Sequence, residues 1–380
     1  MRKINILMFL SKEILTDDRV YREAKALVDA GYEVTVIMWD RYGERKLKES
    51  VDGIDIVRIR SNGLMKLLPN NLFRNPIWWR LAYKKGLELY RSGYKFDIVH
   101  CHDLDTLKIG VWLKKKLGIK LIYDAHEIFG YMLEDSLSRF TVRMIYKLES
   151  SCIKNVDYII TVNHPLKDYF EKNSNCDVTI IMNCKDLVGT QYIPPKNDVF
   201  TICYFGNLVE SRMFPELVDI CGNIENIKFV IAGKKTGAYE EVEKRSKLYG
   251  NVEFLGTIPH TEVIPRTLSS NAIICMFDPN SASHRVGLPN KIFEAMVCGR
   301  PIIVTKGLYY STEFVDKEKI GLSVSNTPEE IKQAIEKLRD TPSLQEELGK
   351  NALKAAIEKY NWGKEKEKLI MVYRGLEKSK

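Results

Sequence analysis

The chain has 380 residues, 45% of them hydrophobic, with 58 Lys and Arg against 50 Asp and Glu and a net charge of +8. That length exceeds one ordinary domain and fits two α/β domains, each with ample core. No uncharged apolar run approaches the roughly 18 residues of a membrane span, and the N-terminal run ending at Leu10 is too short for a signal peptide and is followed by Lys12, Glu13, Asp17 and Asp18, so a cytoplasmic protein is expected.

In chain order, the first half alternates strand and helix. Ile4 to Phe9 is a continuous apolar strand, Arg19 to Ala30 a helix closed by Gly31, and Glu33 to Trp39 and Ile54 to Arg60 are further strands. From Ser61 to Phe96 the bases Lys66, Arg74, Arg80, Lys84, Lys85, Arg91 and Lys95 face one acid, Glu88, and are interleaved with Leu64, Leu67, Phe73, Trp78 and Trp79. That pattern suits a helix lying on an anionic membrane surface or gripping an acidic acceptor, and equally a surface helix whose aromatic residues pack inward. No nucleic-acid-binding motif accompanies the charge, and nucleic acid is not expected as a partner. Strands at Asp97 to His102, Lys120 to Ala125, Tyr158 to Val162 and Val178 to Asn183, with helices at Leu104 to Leu117 and Ser138 to Lys154, complete a doubly wound, Rossmann-like domain over 1–184.

Residues 185–198, with Pro194-Pro195, read as a linker. The alternation restarts over 199–360, with strands at Thr201 to Gly206, Lys228 to Gly233, Val252 to Leu255, Ala272 to Phe277 and Pro301 to Thr305. The segment 361–378 is an amphipathic helix. Two such domains predict a ligand cleft between the carboxyl ends of their sheets. The eight cysteines are scattered without a Cys-x-x-Cys pair and read as buried free thiols.

The most informative stretch is Ser281 to Val304, SASHRVGLPNKIFEAMVCGRPIIV. Pro289 opens a short helix that Gly299 stops, and a β-branched strand follows. A helix that starts in a loop after a strand aims free N–H groups and a positive dipole end outward, which makes an anion site. Lys291 in its first turn adds a full charge. Glu294, one turn on, is placed to accept hydrogen bonds from hydroxyls. Phosphate plus sugar hydroxyls describes a nucleotide sugar; the ordinary alternative is that Lys291 and Glu294, three apart, form a surface ion pair.

This string resembles the donor-site signature of the family 4 retaining glycosyltransferases of the GT-B fold, and within them a subgroup carrying Pro-Asn-Lys before the donor-site Glu. Val286 stands where many members have a second Glu. The resemblance implies two Rossmann-like doubly wound domains facing each other across a cleft, with the terminal helix crossing back onto the first. It implies a nucleoside-diphosphate-sugar donor, an acceptor such as a lipid-linked or other cell-surface glycan precursor, and no divalent metal. His126, in DAHE after a strand, matches the family His that holds the donor sugar. In the loop after Tyr204 to Phe205, Gly206 allows close backbone approach to a ligand. Asn207 replaces the usual Arg there, Arg212 stands at the Lys position as a phosphate grip, and Lys291 is the substitute for the missing cation. Thr257 and Ile258 match the loop that meets the base, and Pro289 and Asn290 the helix end at the diphosphate.

On the acceptor or phosphate side, the candidates are Ser11, Asp18, Arg19 and Asp103. Arg19 either touches phosphates or pairs with Glu23 four residues on. His100 and His102, on one strand face with Asp103, also have the makings of a metal site, although the family needs none. Two other functions stay open: a sugar-nucleotide epimerase on the same fold, and a non-catalytic sugar-nucleotide-binding subunit.

Overall fold

The computed structural model describes residues 3–378 apart from 44, 62 and 135; position 62 of the basic segment therefore lies outside the described residues. The chain divides into two compact units, one running to Met182 and resuming at Glu365, the other spanning Asn183–Lys364.

The first unit is built on an eight-stranded sheet. Its strands are β1 (Asn5–Leu10), β2 (Glu33–Asp40), β3 (Lys48–Val51), β4 (Ile54–Arg60), β5 (Ile98–His102), β6 (Lys120–Ala125), β7 (Tyr158–Thr161) and β8 (Asp177–Ile180), in the spatial order β3-β4-β2-β1-β5-β6-β7-β8. All pairings are parallel except β3 with β4, a short antiparallel edge without apolar periodicity that the sequence did not announce. Helices cover both faces, so β1 reads NILMFL with Ile6 to Leu10 all buried. The order reverses at β1, flanked by β2 and β5, and the crevice of a doubly wound sheet opens there, beyond the strands' carboxyl ends.

The helix Trp362–Lys378 belongs from Glu365 onward to this first unit. Leu369 and Tyr373 are fully buried, Tyr32 and Tyr373 are 5.6 Å apart, and the Tyr373 hydroxyl lies 2.6 Å from His100 Nδ1. At the start of the helix, the Glu365 carboxylate accepts from the Met182 backbone N–H at 2.9 Å.

The second unit carries six parallel strands, β9 (Phe200–Phe205), β10 (Ile227–Ala232), β11 (Val252–Phe254), β12 (Ala272–Cys275), β13 (Ile302–Thr305) and β14 (Gly321–Val324), ordered β11-β10-β9-β12-β13-β14. The last, half-buried and only four residues long, is a strand that the apolar pattern misses. Here the switch point lies at β9, between β10 and β12. The segment read as a linker, 185–198, makes contacts with this unit. Arg300 donates to the Ile193 carbonyl at 3.0 Å, and Tyr192 packs over Gly299 and Gly349.

Of the basic segment, Trp78 is fully buried and stacks on Trp39 at 5.6 Å, and the Trp79 indole N–H donates to the Asp105 carbonyl at 2.6 Å. The tryptophans therefore anchor the long helix Asn71–Arg91 to the sheet, as the inward-packing alternative requires, while Leu64, Leu67 and Phe73 remain exposed. No helix among the described residues is long and apolar enough to cross a membrane.

If the terminal helix is an integral layer of the first unit, Leu369→Ala should cost about 2–5 kcal/mol in equilibrium unfolding, the range for emptying a full core position. A loss below about 1 kcal/mol would mean that the helix is only loosely attached.

Candidate functional site

In the first unit, chemistry gathers at the carboxyl ends of β5 and β6. Asp124 and His126 alternate on β6 and its exit, and so share a face. His126 Nε2 lies 3.0 Å from Asp124 Oδ2 and its Nδ1 lies 3.4 Å from Asp103 Oδ2, while its backbone N–H donates to Asp103 Oδ1 at 3.2 Å. Burial opposes a charge on this ring, but Asp103 and Asp124 outweigh it and raise the pKa from 6.5 to about 10. His126 is an imidazolium held between two carboxylates. A direct bond from His126 to a ligand therefore requires Asp103 to yield, which narrows the expected role of holding a sugar.

Asp103 adopts φ +61°, ψ 164° without being glycine, a conformation that costs of order 1–3 kcal/mol. Its carboxylate, with one oxygen on the His126 backbone and the other on the ring, requires a side chain at that place. Burial would raise its pKa, yet His126 draws it down to about 2.

Asp124 is the hub. It is wholly buried and accepts from Arg19 at 2.9 Å and His102 Nδ1 at 3.1 Å as well as from His126. Arg19 also donates to the Ile181 carbonyl at 2.7 Å and sits 3.0 Å from Glu23. The expectation that Arg19 faces phosphate is therefore replaced by its alternative, the pair with Glu23, though in the core rather than on the surface. Burial, opposed by Arg19 and reinforced by Asp124, pushes Glu23 up to about 8, so it is protonated at neutral pH. His102, by burial and by His100, is lowered to about 3 and is neutral.

Glu23, His100, His102 and Asp124 bring ligand atoms within 4.8 Å of one another, a set with metal-binding chemistry. The Arg19 guanidinium already lies against both carboxylates, and a proton remains on Glu23, so the cluster is charge-balanced as it stands. Asp103, the third member of the metal reading from sequence, is outside this set. Ser11, after β1, lines a cavity shared with Asp103 and His126, whereas Asp18 is outside that lining and pairs with Arg22 at 3.0 Å.

In the second unit, the loops after β9 and β12 meet at the switch point, where the Asp278 N–H donates to the Ser211 carbonyl at 2.8 Å. Lys291, in the helix Asn290–Cys298, is 8% exposed and its ammonium rides 4.3 Å above the Tyr204 ring. A Cβ on Gly206 would lie 2.5 Å from that ammonium and 3.6 Å from the Arg212 guanidinium, so any larger residue would displace the Lys291 ammonium from its place at the β9 exit. Arg212 sits 5.0 Å over the Phe277 ring and 3.4 Å from the Tyr204 hydroxyl. Neither cation makes an ion pair among the described residues. Glu294 is likewise 8% exposed and makes no ion pair among the described residues, which sets aside the Lys291–Glu294 surface pair.

Pro289 is the residue before this helix rather than its first, and no side chain caps the free N–H groups behind it, with Asn290 exposed at the tip. Asn207 is exposed, its carbonyl fixed by the Tyr204 hydroxyl at 2.7 Å. Beyond β11, the Thr257 hydroxyl donates to the Gly233 carbonyl at 2.8 Å, leaving the backbone of Thr257 and Ile258 at the rim of the same loop cluster. Lys291, Arg212, Gly206 and the helix end thus converge. They form an anion site with two uncompensated cations.

Sequence comparison agrees with this geometry. Residues 18–187 match the Glycosyltransferase Family 4 model and residues 199–341 the Glycosyl transferases group 1 model. One model lies over each unit, and together they mark the chain as a glycosyltransferase of the GT-B fold. An uncharacterized glycosyltransferase of Methanocaldococcus jannaschii is 24% identical over 336 residues, covering 81% of this chain and 82% of its own. One component of the phosphatidylinositol N-acetylglucosaminyltransferase of Arabidopsis thaliana is 21% identical, covering 94% and 78%. Among solved structures, sucrose-phosphate synthase from Thermosynechococcus elongatus superposes with a TM-score of 0.80 at 17% identity over 100% of both chains. An Anabaena protein in complex with UDP-glucose superposes at 0.71 and 13% identity, covering 98% of this chain and 100% of its own.

Because the folded pKa of His126 lies above 6.5, the stability that its charge supplies is complete below pH 6.5 and is lost as pH rises through about 10. His126→Gln should therefore be markedly more destabilising at pH 6 than at pH 10.5 in chemical denaturation. In NMR titration the His126 ring should stay protonated at pH 8 and become titratable at lower pH in Asp103→Asn. A wild-type midpoint near 6.5 would contradict the two-carboxylate clamp.

Proposed function

We propose that this chain transfers a sugar from a nucleoside-diphosphate donor to an acceptor hydroxyl with retention at the anomeric carbon. The observation that carries the proposal is the pair of unpartnered cations, Lys291 and Arg212, beside Gly206 and an uncapped helix N-terminus. A diphosphate supplies the missing negative charge. In the reaction, the bond between the anomeric carbon and the diphosphate oxygen breaks as the acceptor oxygen bonds that carbon from the same face. The acceptor's proton passes to the departing phosphate oxygen. Lys291, Arg212 and the helix end stabilise the charge that accumulates there, an electrostatic effect that needs no divalent metal. Glu294 takes the ribose hydroxyls, the backbone at Thr257 and Ile258 meets the base, and the first unit, with the His126 imidazolium at the exit of β6, binds the acceptor.

UDP-sugars are the first donors to test, since the Anabaena structure holds UDP-glucose and an Escherichia coli trehalose-6-phosphate structure holds UDP-2-fluoro glucose. The acceptor assigned by this reading is a cell-surface glycan precursor, taken up by a cytoplasmic enzyme at the inner face of the membrane. The exposed Leu64, Leu67 and Phe73 in the basic segment support that placement.

With a panel of nucleotide sugars, Lys291→Ala and Arg212→Ala should each lower kcat/KM by about 10²–10³, the loss typical of one charge-stabilising group. Product NMR should show the donor's anomeric configuration; an inverted product would refute retention, and epimer formed without acceptor would refute transfer. Lys84→Glu with Lys85→Glu should reduce cosedimentation with anionic liposomes, and unchanged binding would remove the membrane assignment.

A further inference from the structure

Beside His126 the first unit holds a cavity of about 510 Å³ whose lining is part polar and part apolar. The polar part includes Asn75, Asp103, Asp105, His126 and Glu127. Asp105 Oδ1 and Asn75 Oδ1 are buried acceptor atoms without hydrogen-bond partners among the described residues, which donors on a ligand would satisfy. Burial, strengthened by the neighbouring Asp103, pushes the Asp105 carboxyl up to about 6. The only Lys or Arg among the described residues of the lining, Lys12, is already bonded to Asp17 at 2.7 Å, and the His126 charge is held by Asp103 and Asp124. An anionic head would meet three carboxylates, Asp103, Asp105 and Glu127, and no free cation among the described residues of the lining; a sugar or other polyol would meet acceptors for its hydroxyls.

The apolar part of the lining comes from one segment, as Phe129, Leu133, Leu137, Ile145 and Leu148. No sugar hydroxyl has a partner among these side chains, whereas a hydrocarbon is at home there. The helix Arg139–Ile153, which contributes Ile145 and Leu148, also exposes Phe140 at 75% and Met144 at 49%, next to the exposed bases Arg143 and Lys147. Apolar and basic side chains together on one helix suit contact with a lipid surface.

We propose that this cavity is the acceptor site and that its ligand is a glycolipid, a neutral, hydroxyl-bearing head lying against Asp103, Asp105 and Asn75 with its hydrocarbon chain among Leu133, Leu137 and Ile145. The inference rests on the glycosyl-transfer reading and narrows its acceptor to one class. It also gives Asp105 and Asn75 a role as specificity determinants for the head group.

The test is calorimetry of the full chain with methyl, butyl, hexyl and octyl glucoside, each below its micelle concentration. Affinity should rise roughly two- to fourfold per methylene. Leu133→Asp and Leu137→Trp, both at half-buried positions, should flatten that dependence while retaining the wild-type melting temperature. Binding that ignores chain length, or a slope unchanged in both folded variants, overturns the proposal. So does octyl phosphate binding tenfold more tightly than octyl glucoside, since the head would then be anionic. Transfer from a UDP-sugar, assayed separately, distinguishes the two layers of the argument. Chain-length-dependent binding with no transfer to any acceptor leaves the cavity assignment and removes the transferase reading. Transfer to methyl glucoside as efficient as to octyl glucoside does the reverse.

Discussion

A lysine without a counter-ion at the exit of β9 is the feature on which the second unit turns. The Lys291 side chain is largely buried, touches the face of an aromatic ring and meets no carboxylate among the described residues. Its stem is held in the fold while the charge is answered only by a cation–π contact worth about 0.5–2 kcal/mol. The neighbouring Arg212 and the positive helix end deepen the imbalance rather than relieve it. Each nearby sequence choice preserves that imbalance: glycine at 206, no capping side chain before Asn290, and a Glu294 held one turn away without pairing. A fold keeps an unfavourable arrangement of this kind where a ligand completes it.

The first unit shows the opposite economy of charge. Around Asp124, every strong charge has its partner: Arg19 and His126 are cations against Asp124 and Asp103, and Glu23 retains its proton. The network ties together β5, β6 and the first helix, and through His100 and Tyr373 it reaches the terminal helix. It is a rigid mount. The polar atoms it leaves unsatisfied next door, on Asp105 and Asn75, are uncharged or weakly acidic, suited to hydroxyls. On the proposed reading, a diphosphate leaving group would answer the cations of the second unit and a neutral hydroxyl would suit the acceptors of the first.

The fold was legible because parallel strands buried on both faces write themselves as apolar runs; β1, β9 and β13 could be placed from composition alone. The strands β3 and β14 were not, being short edge strands with half-exposed, mixed sequences. In the second unit, Gly206, Arg212 and Lys291, which the structure brings together, could be named in advance because they reside in local strings that bracket a strand and a helix end. The Asp124 hub was missed for the opposite reason. Its members come from four separate segments, and only the alternation of Asp124 with His126 and the four-residue spacing of Arg19 and Glu23 hinted at it. A place at a helix start left Arg19 free to face outward, where the three-dimensional fold turns it inward. The polar and apolar parts of the cavity likewise come from distant segments, which no linear pattern could join.

The most direct test of the uncompensated cation is thermal unfolding of Lys291→Met, with and without a UDP-sugar. Removing the charge should leave the melting temperature of the ligand-free protein at or above the wild-type value and should abolish most of the rise that the nucleotide sugar gives the wild type. A variant that melts below the wild type yet keeps the full ligand-induced shift would contradict the account, because Lys291 would then be a structural residue and the diphosphate would be held elsewhere.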